Sequence, residues 1–205
     1  IPTGIYAEIR NLSNLRIQTQ EEITRVKNRM ARWFSIYFPE IKDVYRNPDA
    51  VSGLMVIKQA ALPCDIRELG VEGVNKIWRD ARLKGAGLKR ATTLVAAAEH
   101  SIGNTEAPRS ARKEIRNLLN DYEIYKNRMD ELMEEIEKTL SEIPYIDNLM
   151  EITGIGIKTV SCFIAEVGDI GRFDNPKQVQ KLAGYAIVAD SSGKHNGESR
   201  ISHRG

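Results

Sequence analysis

The strongest constraint on the fold is a run of apolar side chains between Ile115 and Ile143. Ile115, Leu118, Tyr122, Tyr125, Met129, Leu132 and Ile136 alternate in spacings of three and four, and polar Thr139 and then Ile143 keep the beat. A repeat of seven predicts a long helix that buries one narrow seam against another helix. Pro144 ends it, because proline lacks an N–H and clashes with the preceding turn. A second seam lies near the N-terminus at Ile9, Leu12, Ile23, Val26, Met30, Trp33 and Tyr37, with Arg16 and Thr19 at two interrupted positions. Pro39 disfavours helical geometry at the residue before it, so this helix should stop near Phe38. The seams can pair within one chain or assemble subunits as a homo-oligomer. The spacing allows both.

Glu40 to Thr105 contains Pro48, Pro63 and five glycines before Leu88. The stretch predicts short helices at Val51–Ala61, Val71–Leu83 and Leu88–Ser101, with Gly85-Ala86-Gly87 as a turn. Alternating strand patterns are absent. The fold class expected is therefore all-α: long coiled-coil helices over residues 1–143 with a small helical insert at about 40–109. A C-terminal module at 144–205 follows, ending in a truncated, loop-rich tail.

Composition closes off other classes. With 41% hydrophobic and 28% charged residues over 205 positions, the chain can bury a core and is not of the disordered type. No apolar run approaches the ~20 residues needed to span a bilayer. The opening IPTGIYAEIR has no basic-then-apolar start, so no signal peptide is expected. With the end falling inside polar ISHRG, the chain reads as a fragment of a longer, cytoplasmic protein. Cys64 and Cys162 stand alone, which argues against a disulfide scaffold or a zinc site. Net charge is only +2, but it is uneven. Arg10, Arg16, Arg25, Lys27, Arg29 and Arg32 make one end basic, and Arg172, Lys177, Lys181, Lys194, Arg200 and Arg204 the other. Acids concentrate between Asp121 and Glu142. Basic ends suit a polyanion partner, and they also suit ordinary solvated helix faces, the commoner case.

Pro144 to Gly168 carries the most specific local chemistry. Ile146, Leu149 and Ile152 lead into Thr153-Gly154-Ile155-Gly156-Ile157-Lys158-Thr159, and Val160, Phe163, Ile164 and Val167 follow at helical spacing. The pattern predicts a helix-hairpin-helix closed by Gly168. The two glycines allow a sharp turn and leave the free N–H groups of the second helix bare. Those groups and the helix dipole attract a phosphate. Candidate DNA contacts are Gly154, Ile155, Gly156, Lys158 and Thr159. They would position a backbone and would not read sequence. The plain reading is a helix–turn–helix corner packed for stability.

After Asp174-Asn175-Pro176, which can open a short helix, the chain turns polar around Ser191-Ser192-Gly193-Lys194-His195-Asn196-Gly197. On composition this is a surface loop. His195 and His203, with Asp190, fit no standard zinc spacing and are read as solvated. Trp33 and Trp78 are read as core, and 6% aromatic content offers no stacking platform for single strands.

Three blocks carry a family resemblance: Tyr6 to Glu40, Leu149 to Tyr185, and Ser191 to Gly205. In this order they resemble the IS110/IS116/IS902 insertion-sequence transposases, relatives of the Piv DNA invertase. The resemblance implies a DNA transposase or site-specific recombinase of a mobile element, acting near the nucleoid on element ends and target DNA. A guide RNA is a further implied partner, with Arg10 to Arg32 as one surface for it. It also implies a RuvC-like domain with an Asp-Glu-Asp-Asp set holding Mg2+, ahead of the start of this sequence. The acids from Asp121 to Glu137 are therefore read as a solvated flank, with no metal ligand here. The family's nucleophile is a serine before a glycine, which corresponds to Ser192, or to Ser191 in the alternative register. Lys194, Arg200 and Arg204 would stabilise charge at the phosphate. Ile187 stands where the family commonly has proline. The fragment alone is expected not to cleave DNA. The rival readings are a non-enzymatic helical DNA-binding module and a purely structural coiled coil.

Overall fold

The computed structural model describes residues 2–47, 49–185, 187–192 and 195–201, the last two spans by their backbone. The elements in chain order are α1 (Ile5–Tyr37), α2 (Ile41–Val44), α3 (Val51–Gln59), α4 (Pro63–Asp80), α5 (Leu88–Glu99) and α6 (Pro108–Ser141). Then come α7 (Ile146–Met150), α8 (Ile157–Val167), a 3-10 turn (Ile170–Arg172), α9 (Pro176–Leu182), β1 (Ile187–Ser192) and β2 (His195–Ile201). The all-α expectation holds for the body. The tail, expected as loop, is instead an antiparallel hairpin of β1 and β2. Its inter-strand bonds satisfy backbone groups that composition alone assigned to solvent.

α1 ends one residue before Phe38, as Pro39 requires, and α6 begins on Pro108, whose missing N–H costs nothing at a first helical position. α4 is two helical pieces joined across non-helical Gly70 (φ 65, ψ 178), so the expected helix from Val71 is there and a further piece from Pro63 precedes it. That first piece opens on Pro63 at its first helical position and is held by local and tertiary bonds. The Asp65 carboxylate accepts the Leu62 N–H at 3.1 Å and Arg112 Nε at 3.0 Å, which fixes the first turn to α6.

Contacts divide the chain into two compact units, Gln18–Asp130 and Ile1–Ile17 with Glu131–Gly205. In the Gln18–Asp130 unit, Val26, Met30, Trp33 and Phe34 share one core with Ile57, Ile66, Trp78, Leu94, Ile115 and Leu118. The two indoles are fixed by polar tips. Trp33 Nε1 donates to the Ala111 carbonyl at 3.0 Å, and Trp78 Nε1 to that of Ser52 at 2.8 Å. In the other unit, Ile9 and Leu12 share a core with Ile136, Leu140, Ile143, Val160 and Ile164. Within each unit, positions of both heptad seams are thus filled from the same chain. Polar Arg16 at the seam's interruption reaches Cys162 Sγ, at 3.3 Å. Among the described residues no helix is long and apolar enough to cross a membrane.

Three carboxylates tie the larger unit together. Glu40 is raised by burial, but hydrogen bonds from Ser101 (2.6 Å) and the Ile102 N–H (2.9 Å) outweigh this and hold it below its ordinary value of 4.5. Asp49 is likewise raised by burial and lowered further by Lys27 at 3.0 Å and the Tyr122 hydroxyl. Hydrogen bonds from Arg112 lower Asp65, against a smaller burial penalty. Each group has a folded pKa below its unfolded one. Each therefore contributes stability in full above the unfolded value, and that contribution is lost as pH falls through the folded value. We expect the urea midpoint of this unit, followed by Trp33 and Trp78 fluorescence, to be flat above pH ~5 and to drop steadily below ~4.5. A midpoint that stays constant to pH 3 would show that these bonds are not made.

Candidate nucleic-acid interface

The stretch read as a helix-hairpin-helix folds as α7, a turn and α8. Two bonds fold the chain back: Glu151 N–H to the Asp147 carbonyl at 3.0 Å, and Ile155 N–H to that of Ile152 at 3.0 Å. Gly154 sits at φ +86, a left-handed conformation costly for any residue with a Cβ. Gly156 is the N-cap of α8 with extended backbone (φ −118, ψ 174). Its carbonyl accepts from Thr159 (2.9 Å) and Val160 (3.0 Å), so the N–H groups of Ile157 and Lys158 precede the first intrahelical bonds. Gly168, at φ +70, closes the helix with its N–H on the Ile164 carbonyl at 2.8 Å.

The structure separates the sequence candidates by role. Gly154, Gly156, Lys158 and Thr159 are exposed together at the turn. Ile155 is half-buried and packs on the core below, as does Ile157, so Ile155 can offer a ligand its backbone only. The only basic side chain of the hairpin is Lys158, and Asp147 and Glu151 lie on α7. Attraction for an anion at this point therefore rests mainly on the bare end of α8 and its dipole.

In the tail, the register is Ile187↔Ile201, Val188↔Arg200, Ala189↔Ser199, Ser191↔Asn196 and Ser192↔His195, with an irregularity between Ala189 and Ser191. Ser192 is thus the last residue of β1, and Arg200 stands opposite Val188 near the other end. Gly193, Lys194, His203 and Arg204 lie outside the described residues. Sequence reasoning passed over His195 as solvated, and the register makes it the cross-strand partner of Ser192. The Gly193-Lys194 dipeptide, with a glycine where a two-residue hairpin turn can use one, was the available signal. Among the described residues no group of three His, Cys, Asp or Glu side chains is placed to hold a metal ion.

Residues 146–205, 60 of the 205, are similar to the family described as Transposase IS116/IS110/IS902. No curated protein and no solved structure matches the chain.

Proposed function

We propose that this chain is the DNA-holding and strand-joining part of a mobile-element transposase, in which the α7–α8 hairpin seats a DNA phosphate and Ser192 is the nucleophile. One observation supports the hairpin role above the rest. A Cβ built on Gly154 would be strained by φ +86, whereas a Cβ built on Gly156 meets nothing within 4 Å and no φ penalty. The fold therefore explains Gly154 and leaves Gly156 unexplained. A backbone that must approach an oxyanion closely explains it, with the N–H groups of Ile157 and Lys158 as donors.

The Ser192 step follows from phosphodiester chemistry. The Ser192 oxygen attacks phosphorus, a phosphoserine bond forms, and the bond to the departing 3′ oxygen breaks. The serine proton passes to a base, for which His195 at the paired register position is the candidate, and the 3′ oxygen leaves as a hydroxyl. Rejoining reverses the exchange without loss of bond energy. Lys194 and Arg204 are candidates, by family resemblance, for charge stabilisation at the phosphate, whereas the register sets Arg200 opposite Val188, four strand positions from Ser192. Mg2+ chemistry, if used, belongs to a RuvC-like site that these residues do not form, and no step here runs through it.

Gly156→Val tests the hairpin. Its conformation admits a branched side chain, so loss of the glycine cap should cost about 1 kcal/mol or less of stability. Duplex-DNA affinity should fall about tenfold or more, about 1.4 kcal/mol. Unchanged affinity in a folded variant would remove the hairpin from the interface.

A further inference from the structure

The molecule holds one strongly charged face that none of the roles above uses. Arg109, Arg112, Lys113 and Arg116 follow one another at spacings of three, one and three on the opening turns of α6, which places them on a single side of the helix. Asn117 and Asn120 extend the row, and all of these except half-buried Arg112 are exposed. Arg109, Arg112, Lys113, Arg116 and Asn117 line a shallow groove of about 360 Å³ that no acidic residue lines. Arg112 is neutralised by Asp65. Among the described residues Arg109, Lys113 and Arg116 have no ion-pair partner within 4 Å. Glu114 is two residues from both Arg112 and Arg116 and so points off this side.

This arrangement costs stability. Like charges at i, i+3 and i+4 repel, and cations at a helix N-terminus oppose the dipole, here with no acid in the first turn to offset them. A compensating ligand must be anionic and extended, because Arg109 to Arg116 spans about 10 Å along the axis. The row has no apolar member, which a protein partner would need at the centre of its footprint. Polar, cationic and elongated is the character of a surface for a nucleic-acid backbone, and guanidinium groups suit phosphate oxygens.

We infer that the basic face of α6 formed by Arg109, Lys113 and Arg116 grips the backbone of duplex DNA, at a place separate from the α7–α8 hairpin. The inference rests on the DNA reading proposed above and adds a second contact to it. Three neutralised phosphates contribute a slope of about −2.7 to log affinity against log salt, at about −0.9 each.

The test is a salt series of duplex-DNA binding for the wild type, for Arg109→Gln/Lys113→Gln/Arg116→Gln, and for Gly156→Val. The triple change sits on exposed residues and should leave thermal stability equal or slightly higher. The expected result is a slope shallower by about 2.7 in the triple variant and by about 1 or less in Gly156→Val. A wild-type slope retained in the triple variant overturns this inference and leaves the hairpin reading intact. Absence of salt-dependent duplex binding by the wild type overturns both. A slope loss seen on structured RNA and not on duplex DNA overturns the assignment to DNA. Salt-sensitive self-association that the triple change abolishes, with DNA binding unaltered, overturns it in favour of a second copy of the chain.

Discussion

Gly103→Ala is expected to destabilise the Gln18–Asp130 unit by about 3 kcal/mol or more. A Cβ at this position would lie 2.1 Å from the Tyr37 carbonyl oxygen and 2.5 Å from its carbon. Both atoms are backbone, and the neighbourhood leaves them little room to yield. Phe38 is fully buried and its N–H bonds the Phe34 carbonyl at 2.8 Å. Asn104 N–H bonds the Ile36 carbonyl at 2.8 Å on the other side of the approach. Glu40 pins the same segment through Ser101 and Ile102, and the Ser101 hydroxyl accepts the Gly103 N–H at 3.2 Å. Relief would require the linker ahead of α6 to lift from the end of α1 and give up these bonds together. Equilibrium urea unfolding followed by tryptophan fluorescence measures the loss. Gly87→Ala is the control, since a Cβ there meets nothing within 4 Å and its cost should stay near 1 kcal/mol or less. Equal midpoints for the two variants would mean that the linker does not rest on Tyr37.

That contact was invisible in the sequence for a physical reason. Gly103 has no special φ and lies in no turn motif. Only its closeness to Tyr37, distant in sequence, demands a bare Cα. Features set by local chemistry were legible: the end of α1 before Pro39, the seam from Ile115 to Ile143, the left-handed Gly154, and Gly168 past the end of α8. Features set by tertiary partners were not. The bond from Arg112 on α6 to Asp65 in the first turn of α4 is one such feature, and no local signal announces it. The β1–β2 hairpin was read as loop because its residues are polar, while strand pairing depends on backbone groups that composition does not record. The α6 basic face was missed for a different reason. Charge was summed over the ends of the chain, whereas Arg109, Lys113 and Arg116 form one patch only when residues are taken three and four apart on a helix that also carries many acids.

The catalytic proposal carries the largest expected effect on activity. If the proposal holds, Ser192→Ala in a strand-transfer assay of the full-length protein should reduce DNA cleavage by about 10⁴-fold or more, since removing a covalent nucleophile leaves only what binding and charge stabilisation supply. Duplex-DNA affinity should stay within about twofold, because the proposed phosphate contacts are in the hairpin and on α6. Ser191→Ala should change cleavage only a few-fold. Adjacent strand positions alternate between faces, so the two single variants distinguish the registers: Ser192 pairs with His195 and Ser191 with Asn196. His195→Ala should fall between them, with its loss partly recovered at higher pH if the histidine serves as the base. A shift of the whole effect to Ser191 would move the nucleophile by one register position and separate it from His195. Full cleavage by Ser192→Ala and Ser191→Ala alike would leave this part of the chain as a helical DNA-binding module, its phosphate contacts intact and its serines ordinary strand residues.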